Sequence, residues 1–349
     1  NEYPQVRYFQ TNVDVEIDGK VHRVWIDPKE TNSFTFDSPT EPKLVNFDYE
    51  GTLIKELKFE KPVDELVYQL LNDKDVLGRR WAGEQLGAAY KSQSASQADK
   101  DKIMDAFRKS VETDSNWRIR RGTLSEIANI VSPDPSPGTE RPAATIDAAT
   151  TATIVKATKD KNNFVRGDAL ELLGETRDPK YADLFTAGIK EQSFVIVGQS
   201  ATALAAVKAP NAYQEINALL GQKSWRGQSQ IIAMNAFADL KDPRSLDTAF
   251  KYAEDVNQPK QVRSASLRIV GAVGKGDERS YPLIIGSFKK ALANQDFQGI
   301  FNAVQGIIAL ADPRGQEAFD MLREKFNGNQ QIMGFVTFME NQFKAALKK

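Results

Sequence analysis

Few residues in this 349-residue sequence are equipped for bond-making chemistry. It has no Cys and a single His, His22. Without thiols there is no disulfide, no thiolate metal site and no Cys nucleophile. His22 is the only imidazole a Ser-His-Asp triad could use, and no GxSxG turn accompanies it. Within VHRVWI it reads as a structural strand residue. The acids Asp73 and Asp75, Asp99 and Asp101, and Asp134 lack the twelve-residue loop with Gly at its sixth position that Ca²⁺ requires. GKGDE, from Gly274, lacks the phosphate-cradling order GxxxxGK[ST]. Turn and cap roles account for these acids.

What remains is binding chemistry. NWRIRRG brings Trp117, Arg118, Arg120 and Arg121 together. Arg forks hold a carboxylate through two hydrogen bonds and Trp offers a flat apolar face. This cluster is the first candidate contact for a peptide or partner protein. GRRWAG, with Arg79, Arg80 and Trp81, is the second; SWRG, with Trp225 and Arg226, is the third. Each also has a structural reading. In paired-helix repeats an Arg opening the second helix pairs with an acid of the previous repeat, and Trp packs between helices.

The remaining composition narrows the partners. Hydrophobic residues make up 41% and charged residues 27%, with a formal net charge of −1. Near-neutral charge supplies no general drive toward nucleic acid or anionic membrane. No apolar run approaches the roughly 20 residues that span a bilayer, and NEYPQVRYFQ has neither part of a secretory signal. The compartment is left open.

Two kinds of element must position the clusters. Up to about residue 60 the pattern is that of strands. VDVEIDGKVHRVWI alternates around Asp18-Gly19, the strongest short hairpin signal because a type I′ turn needs two positive-φ residues. Val13, Val15 and Ile17 share a face with Val24 and Ile26. NSFTFD, KLVNFDY and TLIKELKF extend the expectation to about five strands, part of an antiparallel sandwich. From Pro62 the period changes: Val63, Leu66, Val67, Leu70 and Leu71 form one helical stripe. Such stripes recur in roughly fourteen to sixteen segments. Asp178-Pro179, Asp242-Pro243 and Asp312-Pro313 mark helix starts, where Asp caps free amides and Pro supplies the right φ. Ala209-Pro210 and Asp277-Glu278 fill the intervening places, about 31 to 36 residues apart, one helical hairpin per interval. The fold expected is mainly α with a small β part: a HEAT-like α-solenoid over residues 61–349, preceded by a partial antiparallel β-sandwich over residues 1–60. SPDPSPGTERP, residues 132–142, reads as an exposed Pro-rich loop.

GKVHRVWIDPKETNSFTF, followed by KLVNFDYEGTLIKELKFEKPVDELVYQLLNDKDVLGRRWAGEQL, resembles the junction between sandwich and helical domain in zinc aminopeptidases of the aminopeptidase N family (peptidase family M1). The likeness is densest from Gly19 to Leu86. It implies a non-catalytic C-terminal region whose helical part covers the active-site cleft and restricts entry to peptides. Its partners would be its own upstream catalytic domain, preceding Asn1, and peptide on the concave face. That family binds zinc through HExxH, which needs two His and cannot be written here; no cofactor is expected in this chain, and zinc would sit in the catalytic domain. MEN, from Met339, lacks the strand context of the family's GxMEN loop. Two other functions fit the same residues: a stand-alone HEAT-repeat adaptor binding protein on its concave face, and an inactive relative serving as an assembly platform.

Overall fold

The computed structural model describes residues 8–132 and 141–348. These fall into two compact units, residues 8–132 with 145–169, and residues 141–144 with 170–348. Most of the expected Pro-rich loop, 133–140, and Asp134 with it, lies outside the described residues.

Unit 1 opens with one antiparallel sheet, in the order β2-β1-β3. Its strands are β1 (Thr11–Ile17), β2 (Lys20–Ile26) and β3 (Val45–Phe47). Asp18 and Gly19 turn between β1 and β2 at φ of 47° and 86°, the left-handed pair a type I′ hairpin needs. Val13 pairs with Val24 and Val15 with His22. Val13 and Val15 are buried, and His22 packs against the Phe36 ring at 4.9 Å.

Two expected strands do not form. Asn32 folds back on Asp27, accepting its amide at 2.9 Å and donating to its carbonyl at 3.1 Å, so NSFTFD leaves β2 in a loop. After β3 the chain turns at Asp48, Glu50 and Gly51, all at positive φ. The Asp48 carboxylate then takes the amides of Thr52 and Leu53 at 3.0 and 2.9 Å. Side-chain capture of these donors replaces the ladder that TLIKELKF would have made.

Six helices follow the sheet: α1 (Val63–Asn72), α2 (Val76–Lys91), α3 (Gln97–Thr113), α4 (Trp117–Val131), α5 (Ala148–Ala157) and α6 (Asn163–Glu175). They form hairpins with odd-numbered first helices and even-numbered second helices. Side chains of Asp75, Asn116 and Asp147 cap α2, α4 and α5, and Ser96 caps α3. Leu86, Ile103, Phe107, Leu124 and Ile154 are fully buried between the hairpins.

Sheet and helices are locked by a buried polar knot. Asn46 on β3 donates one amide group to both Glu16, at 2.9 Å, and Asp73, at 2.6 Å. Gln69 on α1 donates to Asn46 and to Asp73. Lys61 donates to the Val45 carbonyl and, at 3.0 Å, to Gln69. Burial, reinforced by the charge of Asp73 and only partly offset by Asn46, pushes the Glu16 carboxyl above its ordinary pKa.

Unit 2 continues the hairpins. Its first helices are α7 (Ala182–Gly188), α9 (Ala212–Ala218), α11 (Leu246–Glu254), α13 (Ser280–Ala293) and α15 (Gln316–Lys325). Its second helices are α8 (Phe194–Ala206), α10 (Gln228–Leu240), α12 (Lys260–Val273), α14 (Phe297–Leu310) and α16 (Gln330–Ala346). Each expected Asp-Pro mark opens a short 3₁₀ turn before a first helix. Asp178, Asp242 and Asp312 accept the amides of Lys180, Arg244 and Arg314 at 2.9–3.0 Å. Phe185, Phe237, Phe288, Phe319 and Phe343 fill the core. No described helix is long and apolar enough to cross a membrane.

Candidate functional site

The three sequence clusters separate by the fate of each side chain. Arg79 and Arg120 each lie four residues after a helix cap, on the packed side of α2 and α4, and both are buried. Arg79 grips Asp114 at 2.8 and 3.2 Å and donates to the Asp73 carbonyl. Arg120 grips Asp160 at 2.7 Å through both nitrogens and donates to the Asp114 carbonyl. Burial works against the Asp160 carboxylate, but Arg120 and the Asn162 amide outweigh it and hold the pKa below the ordinary value. Both forks are consumed, so these two arginines tie repeats together and have no charged group left for a partner, although Arg79 also lines the groove between α2 and α4. Their acid stands in the following repeat, not the previous one as expected from sequence.

Trp81 is also committed to packing. Its ring lies 6.3 Å from Phe59 and 5.6 Å from the Lys61 ammonium, between α2 and the segment after β3. Trp225 and Arg226 belong to unit 2. Trp225 is 72% exposed, on a turn where Arg226 takes a left-handed φ of 51° and lies 4.8 Å over the indole.

Arg80, Trp117, Arg118 and Arg121 do converge. With Leu77, Gly83 and Gly122 they line a groove of about 470 Å³ between α2 and α4, reaching Asp168 on α6. Trp117 stacks on Phe164 of α6, with centroids 5.5 Å apart and planes 17° apart. Arg121 bonds Asp168 at 2.7 Å while lying over the Phe164 ring, and Arg80 bonds Glu84 at 2.9 Å. Arg118 differs. Its guanidinium rests 4.5 Å over Trp117 and meets no carboxylate among the described residues. It is a cation already oriented by an aromatic face, with its donors free for an anion.

Gly87 fixes one wall of this groove. A Cβ there would sit 2.2 Å from the Glu126 carboxylate, so glycine alone lets Glu126 lie against α2. Burial raises the Glu126 pKa, with Asn129 and Lys91 opposing it. The groove therefore runs from a cationic, aromatic end to a weakly acidic one.

Phe164 and Asp168 were not among the residues singled out from sequence. A spacing could have found them: Asp73-x-Asp75-x-x-x-Arg79, Asp114-x-Asn116-x-x-x-Arg120 and Asp160-x-Asn162-x-x-x-Arg166 set three second helices in one register.

Other candidate chemistries end in structure. Glu340, in the MEN of α16, is buried and held by Arg323, by Lys344 at 2.8 Å and by Gln316 at 2.9 Å. The Arg323 contact leads in bringing its pKa down to about 2. No cluster of three or more His, Cys, Asp or Glu able to hold a metal occurs among the described residues.

No protein-family model matches the chain, and no curated protein matches it. Solved structures do. The chain is similar to the karyopherin Kap121p bound to Nup53p, at 11% identity and a TM-score of 0.50, covering 82% of this chain and 33% of that one. Kap121p bound to the extreme C-terminus of the protein phosphatase Cdc14p gives 11% identity and 0.50, with 82% and 34% covered. The fold is a HEAT-like helical solenoid. The chain spans about a third of the length of these karyopherin chains.

Proposed function

We propose that the chain is a HEAT-type scaffold that binds protein segments on its second helices. The observation that carries this is the α2–α4 groove. Arg118 is an exposed cation with no carboxylate partner among the described residues, set on a stacked Trp117–Phe164 pair. Aromatic and Arg side chains dominate binding energy at protein interfaces. An extended segment with a carboxylate at Arg118 and an apolar side chain against Trp117 fits this lining. Support from the fold is general: Kap121p structures hold Nup53p and a Cdc14p terminus on a helical fold of the same kind. Selection of displayed peptides on the intact chain tests the reading. Selected peptides should carry an acidic residue and lose about tenfold or more in affinity with Trp117→Ala or Arg118→Glu. Selected binding indifferent to both changes would dismiss the groove.

A second reading draws on the junction phrase FDYEGTLIKELKFEKPVDELVYQLLND and its likeness to aminopeptidase N-type enzymes. The chain would then be the non-catalytic C-terminal part of a zinc aminopeptidase, acting with a catalytic domain encoded ahead of it. Its helical part would cover the cleft and restrict peptide entry, with zinc held in that other domain. The polar knot at Asn46 and Asp73 supports it to the extent that a fixed handover from sheet to helices is what such a lid needs. Reading the gene upstream for HExxH tests it directly; a reading frame opening at Asn1 would exclude it. The chain alone, supplied with zinc, should release no arylamine from an aminoacyl arylamide.

A further inference from the structure

We infer a second docking surface, on α12, α14 and α16 of unit 2, that takes a partner segment carrying acidic and then apolar side chains. α14 lies between a groove and an exposed aromatic pair. On its α12 side lies a groove of about 460 Å³ whose lining includes Arg263, Ser264, Lys290 and Asn302. Lys260, also there, is neutralised by Asp296 at 2.5 Å. Arg263 and Lys290 make no ion pair among the described residues, although Asp255 feels the Arg263 charge through space. The groove thus holds two cations bound by no carboxylate among the described residues, with neutral hydrogen-bonding groups beside them. A carboxylate is the group that complements that set.

On the other side of α14 the surface is aromatic. Phe301 and Phe335 of α16 stack at 6.1 Å with planes 29° apart, yet stay 40% and 48% exposed. Neighbouring exposed phenyl rings are costly in water and typical of a binding surface. Asn302 lines the groove, while Phe301, its neighbour in sequence, meets Phe335. A strand crossing α14 passes over a helix about 10 Å across, and extended chain advances about 3.3 Å per residue. Acidic and apolar side chains about three residues apart would therefore reach the groove and the aromatic pair at once.

The inference extends the scaffold reading to a separate site, and its test separates the two. The probes are fluorescein-labelled dodecapeptides with two Glu, a three-residue Gly-Ser spacer and Leu-Phe, and the same peptide with Gln for Glu. Anisotropy with the intact chain at low salt should give the Glu peptide about tenfold or more higher affinity than the Gln peptide. Arg263→Glu with Lys290→Glu should remove that preference. Phe301→Ser should weaken both peptides, with Phe335→Thr as the substitute should the first variant melt early; Arg118→Glu, which removes only the unit 1 groove's share of binding, should leave the preference for the Glu peptide in place. Equal affinity for the two peptides, no binding of either, or indifference to the α12–α14 changes would overturn the inference. So would loss of the whole preference with Arg118→Glu, which would assign the peptide to the unit 1 groove alone. Phe301→Ser that dissociates a dimer in sedimentation, with peptide binding untouched, would also overturn it, as a self-association surface.

Discussion

Arginine ties repeats together in both units, by opposite means. In unit 1, Arg79 and Arg120 cross to the next hairpin below the surface, each closing a two-pronged grip on an Asp whose side chain is only 7% or 11% exposed. In unit 2, Arg244, Arg279 and Arg314 do so on the surface. Each bonds the Asp two residues before it and lies 4.1–4.4 Å over a ring of the preceding hairpin, Tyr213, Phe250 or Tyr281. The buried grip is taken out of water and cannot be half-removed, since an unpaired Asp160 would remain inside. The surface tie stays hydrated and loses little when cut. Deleting a charge from these ties should therefore cost far more in unit 1 than in unit 2.

The largest effect is expected from Arg120→Met, which strands Asp160. Urea unfolding should register a loss of about 3–5 kcal/mol, and a loss below about 1 kcal/mol would mean that the grip is not the tie described. Next is Tyr281→Phe in unit 2. It deletes hydrogen bonds to the Arg314 carbonyl at 2.8 Å and to Glu317 at 3.0 Å, a loss of about 1 kcal/mol. Burial, then the Glu317 hydrogen bond, pushes the phenol up to about 12. The stability it contributes is complete below the ordinary tyrosine pKa and is lost as pH rises from there through about 12, a loss the Phe variant should lack in alkaline melts.

Glu16→Gln sharpens the comparison through pH. The folded pKa of Glu16 is raised, so its contribution is complete below the ordinary glutamate value and is lost as pH rises through the folded one. Asp160, with a lowered pKa, runs the other way, losing its contribution as pH falls. Subtracting wild-type melting temperatures from those of Glu16→Gln isolates the first term. The variant should gain on the wild type as pH rises from mildly acidic to neutral; a flat difference would contradict the burial assigned to Glu16. The smallest effect belongs to Arg279→Ala. Its guanidinium leads in lowering Asp277 to about 2, yet both groups are hydrated, and the melting temperature should fall by a small fraction of the Arg120→Met drop.

Local chemistry is what the sequence made readable. Asp18-Gly19 had to be a hairpin turn because few residue pairs tolerate its φ values. Asp178-Pro179 and its two relatives had to open helices because capping needs only neighbours in the chain. TLIKELKF was misread as a strand because Asp48, outside the alternating run, captures its first amides. Among the arginines, Arg79 and Arg80 are neighbours with opposite fates, as are Arg120 and Arg121. Which one is buried depends on acids 35 and 40 residues away. The Trp117–Phe164 stack joins helices of different hairpins, and only the shared spacing of Asp114, Asn116 and Arg120 with Asp160, Asn162 and Arg166 points to it.

The most direct trial of the scaffold account is hydrogen exchange on the intact chain, with and without a peptide selected on it. Slowed exchange along the first turns of α2 and α4, with α1 and α3 unchanged, is the predicted result. Protection confined to the first helices, or to the β2 edge, would contradict it.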